Sequence, residues 1–297
     1  MADTLFICNP RAGKQAIKGK LTDVLSVFCH AGQPVQVYCT QGSGDATRIV
    51  RERAQKFRQI ICSGGDGTLN EVVTGLLQSG ADCFVGYLPC GSTNDFSVNL
   101  KLPKDLVQAA EVAVTGRPFA CDIGKMGDRN FVYCAAFGLF TRTSYSVAQE
   151  VKNKLGHVAY VLDGIKQLSD VTAYPMTVRH DDQEITGDFI YGMVTNSVSV
   201  GGFHNLGGRD VLLDDGKFEL CLVRRPKTME QLNEILTGLI QTDFRDKSVF
   251  YTAKVDRVTL ESPIPVAWSL DGEFGGETAS AEISVLPRRV TIVSGLK

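Results

Sequence analysis

The stretch ICSGGDGTLNEVV, residues 61–73, sets Gly64, Gly65 and Gly67 around Asp66, followed by Thr68 and Glu71 three residues apart. Glycine admits left-handed backbone and lets other chain segments approach closely. Thr-x-x-Glu before apolar residues is the pattern of a capping box. The N–H groups of the helix it would open, with the positive end of the helix dipole, suit a phosphate. Asp66 is the odd residue. A carboxylate beside a phosphate repels it unless a metal ion or a moving proton lies between them, which points to a nucleotide carried with Mg²⁺. An ordinary strand-to-helix turn explains the glycines, Thr68 and Glu71 equally well, but leaves Asp66 without a purpose.

Two more stretches have the same character. NPRAGK places Asn9, Pro10, Arg11, Ala12, Gly13 and Lys14 after an apolar run, with Lys14 as a point charge for phosphate. Gly13-Lys14 is not followed by Ser or Thr, so this is not a Walker A loop. LPCGSTNDF offers the Ser92 and Thr93 hydroxyls, the Asn94 amide and the Asp95 carboxylate. Far downstream, SLDGEFGG puts Asp271 and Glu273 two residues apart, on one face if the segment is extended. Phosphoryl transfer to an alcohol needs a base near the hydroxyl and Mg²⁺ near the phosphates, and two such acids could divide that work. Asp-Gly is also a strong hairpin signal, which accounts for the acids as solvated turn residues. LLDDGKF, residues 212–218, is a second acidic turn.

The elements that would position these residues follow from periodicity. In the first third, short apolar runs (TLFIC, PVQVYCT, QIICSG, CFVGYLP) alternate with amphipathic stretches that end at Gly32, Gly80 and Gly116. Strands separated by single helices predict a parallel sheet, with ligands beyond the carboxyl ends of the strands. After Phe119 the texture becomes β-rich. FACDIGKMGDRNFVYCAAFG reads as a hairpin, VAQEVKNKLGHVAYVLDGIKQL and TMEQLNEILTGLIQ as helices, and most of the remainder as paired strands. The expected fold is α/β: a Rossmann-like, NAD-kinase-like nucleotide domain over 1–122, then an antiparallel β-sandwich over 123–297 whose last strand packs back on the first domain.

Composition bounds the rest. The chain has 297 residues, 43% hydrophobic and 22% charged, with net charge −2, which gives no global pull toward nucleic acid. Nine cysteines lie singly with no zinc spacing, as expected for reduced core thiols in a cytoplasmic protein. The N-terminus lacks the pattern of a secretion signal, and no apolar run is long enough to span a bilayer. His30, His157, His180 and His204 are scattered and read as surface or capping residues, and Trp268 reads as packing. The basic VRRPK, residues 223–227, is most simply a solvated turn; contact with lipid headgroups is its other reading.

NPRAGK, GGDGTLNEVVTGL, LPCGSTNDF and SLDGEFGG together resemble the soluble diacylglycerol kinase family, over nearly the whole chain; CDIGK and LLDDGKFEL fit its bacterial branch. GGDGT alone is shared with NAD kinases and phosphofructokinases, whereas GGDGTLNEVV with G-[ST]-x-N-D-F thirty residues on is specific to lipid kinases. The resemblance implies an ATP-dependent lipid kinase acting on diacylglycerol. Other acceptors, a sphingoid base or phosphatidylglycerol, and an NAD kinase activity are the alternatives. ATP would be held by residues 9–14, Thr40, Gly64, Gly65, Asp66, Gly67, Thr68, Asn70, Glu71, Ser92, Asn94 and Asp95. Glu273 or Asp271 would accept the lipid proton with Asp66 nearby, and Asp215 with the carbonyls of Leu212 and Lys217 would hold Mg²⁺. The lipid would enter from an interdomain cleft, with transient contact at the inner face of the membrane; a homodimer is the base-rate expectation.

Overall fold

The computed structural model describes residues 3–139, 172–201, 203–204, 211–241, 244 and 248–296. The helix predicted over residues 147–168, with His157, lies outside them, as does the side chain of His204. Two compact units are present: Met1–Ile123 with Leu213–Asp215 and Pro287–Lys297, and Gly124–Leu212 with Gly216–Leu286.

The first unit is the α/β alternation that the apolar runs predict. Strands β1 (Thr4–Cys8), β2 (Val35–Cys39), β3 (Gln59–Gly64) and β4 (Phe84–Pro89) are joined by helices α1 (Ala16–His30), α2 (Asp45–Arg53) and α3 (Asp66–Ser79). The pairings β2–β1, β1–β3 and β3–β4 are all parallel. The short α4 (Asp95–Asn99) and α5 (Leu106–Thr115) follow β4. Asp105 caps α5, its Oδ1 accepting from the N–H groups of Val107 and Gln108. β1, β3 and β4 are continuous buried apolar runs, because a parallel sheet is covered on both faces. Phe6, Ile17, Phe28, Ile61, Leu88 and Ala109 form one core, with Phe6 and Phe28 edge to face at 6.2 Å.

The second unit is built on antiparallel hairpins. Strand β5 (Arg117–Met126) crosses into it and pairs with β6 (Arg129–Phe131); β7 (Cys134–Gly138), β8 (Tyr174–His180) and β9 (Gln183–Thr195) follow. A short pair, β10 (Ser199–Val200) and β11 (Phe203–His204), precedes β12 (Phe218–Arg224), helix α6 (Met229–Gln241), β13 (Phe250–Val255), β14 (Arg257–Leu270) and β15 (Glu273–Ser294). The long strands change partners along their length. β9 pairs with β8 early and with β7 late, and β14 does the same. This wraps the strands around an apolar core of Phe131, Phe137, Phe189, Phe218, Leu260 and Trp268. Trp268 packs edge to face on Phe137 at 5.1 Å, the packing role its sequence context suggested. β15 serves both units: Arg257–Glu261 and Val266–Leu270 of β14 pair with its early residues, and Thr291–Val293 pair in parallel with Phe84–Gly86 of β4.

His180 departs from expectation. It is buried, with Nε2 2.6 Å from the Tyr251 hydroxyl and Nδ1 3.0 Å from Asp181, because β8 places it on the inward face of the β8–β9 hairpin. His30 is exposed at the end of α1, as expected.

Candidate active site

In the first unit the polar loops leave the carboxyl ends of β1, β2, β3 and β4. Backbone bonds tie them in pairs. Asn9 N–H donates to Ser63 O at 2.8 Å, Thr40 N–H to Cys8 O at 2.9 Å and Cys90 N–H to Gly64 O at 2.9 Å. Side chains add cross-links. Asn9 Nδ2 donates to Thr68 Oγ1 at 2.9 Å, and Asn94 closes its own loop by accepting from Gly91 N–H and donating to Gly91 O. The 9–14, 64–68 and 91–95 loops are therefore one fixed surface at the start of α3.

The glycines are needed for proximity more than for dihedral freedom. Gly13 combines φ +50° with a carbonyl, that of Cys90, 2.4 Å from where a Cβ would sit. Gly65 and Gly91 touch backbone to backbone, and a Cβ on Gly91 would lie 2.5 Å from the Gly65 Cα. Gly64, Gly65 and Gly67 do not adopt positive φ, so the left-handed conformations expected for them are not used.

The capping box is also absent. α3 begins at Asp66, one turn earlier than the Thr-x-x-Glu pattern implies, and no side chain caps it. Glu71 instead accepts from Gly44 N–H (2.8 Å) and Ala46 N–H (3.1 Å), fixing the start of α2. Thr68 spends its hydroxyl oxygen on Asn9. A helix N-terminus without a side-chain cap, ringed by glycine backbone and the exposed Arg11 and Lys14, is the geometry that receives a phosphate.

Asp66 has a structural occupation that its sequence context hid. Its two oxygens accept from the N–H groups of Asp95 (3.0 Å) and Phe96 (3.3 Å), so it caps α4 from another loop. The Tyr87 hydroxyl lies 3.4 Å from Asp66 and 3.3 Å from Asn94, one proton between two acceptors. Burial first, then the Asp66 charge, raise the Tyr87 phenol well above its ordinary value, so it stays a donor. Tyr87 is a site residue the sequence reading missed: it sits inside an apolar strand and carried no signal. Ser92 is exposed, Asn70 half-buried, and Asp95 and Thr40 buried. Beneath the loops, burial and then Cys39 push the Cys8 thiol up to about 12, and burial likewise raises Cys62 and Cys90. These thiols are protonated packing groups, not nucleophiles.

In the second unit, Asp271 and Gly272 have φ of 51° and 85° and form the two-residue turn between β14 and β15, with Leu270 opposite Glu273. Positive φ at both central residues marks a type I′ hairpin. The two acids are thus not on one face of an extended segment, because the chain reverses between them. Asp271 is buried, and its oxygens accept from the N–H groups of Val132 (2.6 Å), Tyr133 (3.0 Å) and Cys134 (3.0 Å). Its own N–H donates to Cys134 O. Thr195 holds the same turn from the other side, its hydroxyl donating to Tyr133 O at 2.7 Å. Glu273 is exposed, and its carboxylate makes no hydrogen bond or ion pair with the described residues.

Residues 3–126 match the family model for the diacylglycerol kinase catalytic domain. A diacylglycerol kinase of Bacillus subtilis is 34% identical over 273 residues, 91% of this chain and 89% of that protein. One from Staphylococcus haemolyticus is 35% identical over 275 residues, 92% of this chain and 82% of that protein. The chain belongs to the diacylglycerol kinase family. A crystal structure of a candidate diacylglycerol kinase from Bacillus anthracis superposes with a TM-score of 0.83 at 25% identity, over 99% of this chain and 95% of that one. The protein is accordingly a lipid kinase. Among the described residues, no helix of this lipid kinase is long and apolar enough to cross a membrane.

No three His, Cys, Asp or Glu side chains gather as a metal cage among the described residues of the kinase. At the 212–217 turn, Asp214 is engaged by Arg288, whose Nε donates to its carbonyl at 3.2 Å and whose Nη2 lies 3.7 Å from its carboxylate. Leu213 O accepts from Asp122 N–H at 2.8 Å. Asp215 is exposed, and so are Leu212 and Lys217.

Proposed function

We propose that this lipid kinase transfers the γ-phosphoryl group of ATP to the free hydroxyl of diacylglycerol, giving phosphatidic acid. The first unit is the nucleotide domain and the second the lipid domain. The observation that carries the reading is the fusion of the 9–14, 64–68 and 91–95 loops into one backbone surface at the uncapped start of α3. Diacylglycerol is favoured among lipid alcohols by the names of the relatives at 34–35% identity.

In this mechanism the loop N–H groups, Arg11 and Lys14 hold the phosphates, while Thr40, Asn70 and Ser92 add contacts to the nucleotide. Asp66, Glu71, Asn94 and Asp95 shape the loops around it. Mg²⁺, when bound, offsets phosphate charge; Asp215 and the carbonyls of its turn are a second position of one carboxylate and water. Glu273 accepts the proton of the lipid hydroxyl as its oxygen attacks the γ-phosphorus and the bond to the β-phosphate oxygen breaks, releasing ADP. Asp271 spends both carboxylate oxygens on three N–H donors and so fixes the hairpin that presents Glu273. Positioning and electrostatics supply most of the rate. The enzyme works from the surface of a membrane.

The test is transfer of label from γ-labelled ATP to a panel of diacylglycerol, sphingosine, phosphatidylglycerol and NAD, with the lipids in mixed micelles. Label in phosphatidic acid is the expected result. Label in the phosphate ester of another acceptor, with none in phosphatidic acid, would overturn the assignment.

A further inference from the structure

The second unit carries an open groove of about 580 Å³ that lies apart from the Asp271–Glu273 hairpin in sequence and shares no residue with it. Its floor comes from the β8–β9 hairpin, Met176 and Thr186 among it, and its walls from the exit of β12 and a bulge in β14. The β12 exit is the basic stretch Arg224, Arg225 and Lys227, all three on the groove wall.

These cations are placed, not merely exposed. Arg224 donates to Thr186 O at 3.0 Å and lies 5.2 Å from the Phe189 ring centroid, which orients its guanidinium without neutralising it. Arg225 and Lys227 have their backbones anchored: Arg225 N–H donates to Asp188 O at 2.8 Å and Lys227 N–H to Gln231 Oε1 at 2.7 Å. Their side chains make no hydrogen bond or ion pair with the described residues. Two carboxylates line the groove as well. Glu261 is bound by Arg179, and Asp188 is exposed, leaving the three cations in the majority.

Apolar side chains flank them. Between Glu261 and Val266 the strand leaves its ladder, and Ile264 protrudes at 42% exposure between Pro263, on the groove wall, and Pro265. The prolines are explained by edge protection, since they offer no N–H to a neighbouring strand. An exposed isoleucine is not required for that. Met229, between Lys227 and Gln231 of the wall, is 72% exposed. A bare solvated turn would account for the cations alone. Cations beside protruding apolar groups, on an enzyme whose acceptor is a lipid, match the chemistry of a bilayer surface.

We propose that this groove docks the kinase on membranes by binding anionic phospholipid headgroups through Arg224, Arg225 and Lys227, while Ile264 and Met229 enter the headgroup boundary. The inference rests on the family's lipid chemistry and not on the roles given to the nucleotide loops or Glu273, so either can fail alone.

The experiment is co-sedimentation of the full chain with vesicles of phosphatidylcholine and with vesicles of equal parts phosphatidylcholine and phosphatidylglycerol. Binding is expected to the anionic vesicles and to weaken with salt. The double substitution R225Q/K227Q should lower it roughly 25-fold, at about fivefold per cation near an anionic surface. Ile264→Ser should weaken it independently. Both variants alter exposed residues, and both should keep full turnover of short-chain diacylglycerol supplied as monomer. Equal binding to neutral and anionic vesicles, or unaltered binding by R225Q/K227Q, overturns the proposal. So does loss of turnover on the monomeric substrate, which would place the groove in catalysis. Displacement from vesicles by inorganic phosphate well beyond that by chloride at equal ionic strength would make it a site for a soluble anion, and retention by an acidic polypeptide without vesicle binding would assign it to a protein partner.

Discussion

In the first unit Asp66 and Glu71 each give both carboxylate oxygens to the backbone of a neighbouring loop. In the second, Asp271 does the same for the turn at 132–134, while its neighbour Glu273 makes no such bond with the described residues. The loop cluster presents main-chain groups, so its acids serve to hold main chain in place. The hairpin presents one side chain, so one acid holds and the other is left available. Of the three acids given catalytic roles in the sequence, Asp66 and Asp271 hold main chain in place, as Glu71 does. An acid in a glycine-rich loop need not be a metal ligand, because buried N–H groups at loop junctions need acceptors just as strongly.

That contrast can be tested from its largest consequence downward. Glu273→Gln should lower kcat about 10²–10⁴-fold, the usual worth of a general base, without moving Tm. A matching fall in Tm would show that Glu273 holds structure after all. Asp271→Ala should behave in reverse. It strands three N–H groups in a buried turn, at about 2–4 kcal/mol in total, and thermal melting should record a drop of several degrees. An inactive Asp271→Asn that melts like the wild type would return Asp271 to the chemistry. Gly13→Ala forces a side chain into left-handed backbone against the Cys90 carbonyl, costing about 1–2 kcal/mol for the dihedral alone. Its signature should be a raised KM for ATP with kcat less affected; a change in kcat alone would argue that the loop is not a phosphate cradle. Glu71→Gln weakens the cap of α2, by about 1 kcal/mol, and hydrogen exchange at Gly44 and Ala46 should report it.

The smallest effect is one of pH. Asp45 is held below the usual carboxylate range first by the Gln41 N–H and then by Arg48 and Tyr38. A depressed group adds stability above its unfolded value, near 3.9, and loses it as pH falls through the folded one. Asp45→Asn should therefore flatten the acid limb of Tm against pH in the first unit, and an unchanged limb would show the loop at 41–44 to be held by Glu71 alone.

Much of the fold is legible in the sequence. The apolar runs and glycine stops located β1 through β4 and the helices between them to within a few residues, because a parallel sheet buried on both faces writes continuous hydrophobic runs. The loops at 9–14, 64–68 and 91–95 were legible as one site because each follows such a strand. What misled was local pattern. Thr68 and Glu71 have capping-box spacing, yet α3 starts earlier and both residues are spent on other segments. His180, read as a surface residue, is buried against Tyr251 across the sheet. Tyr87 gave no sign of its link to Asp66 and Asn94, since a hydroxyl in an apolar run looks like core.

By itself the sequence determined the residue types, their order along the chain and the periodicities that make strands and helices; those are local, and spacing carries them. Only the tertiary structure decided what each acid does. A carboxylate's role depends on which donors surround it, and the donors of Asp66, Glu71 and Asp271 come from residues 25 to 139 positions away. The hairpin of Asp271 and Gly272 is the shortest example. A single residue, Gly272, separates Asp271 from Glu273 in the chain, but a type I′ turn buries one against three N–H groups and leaves the other in water.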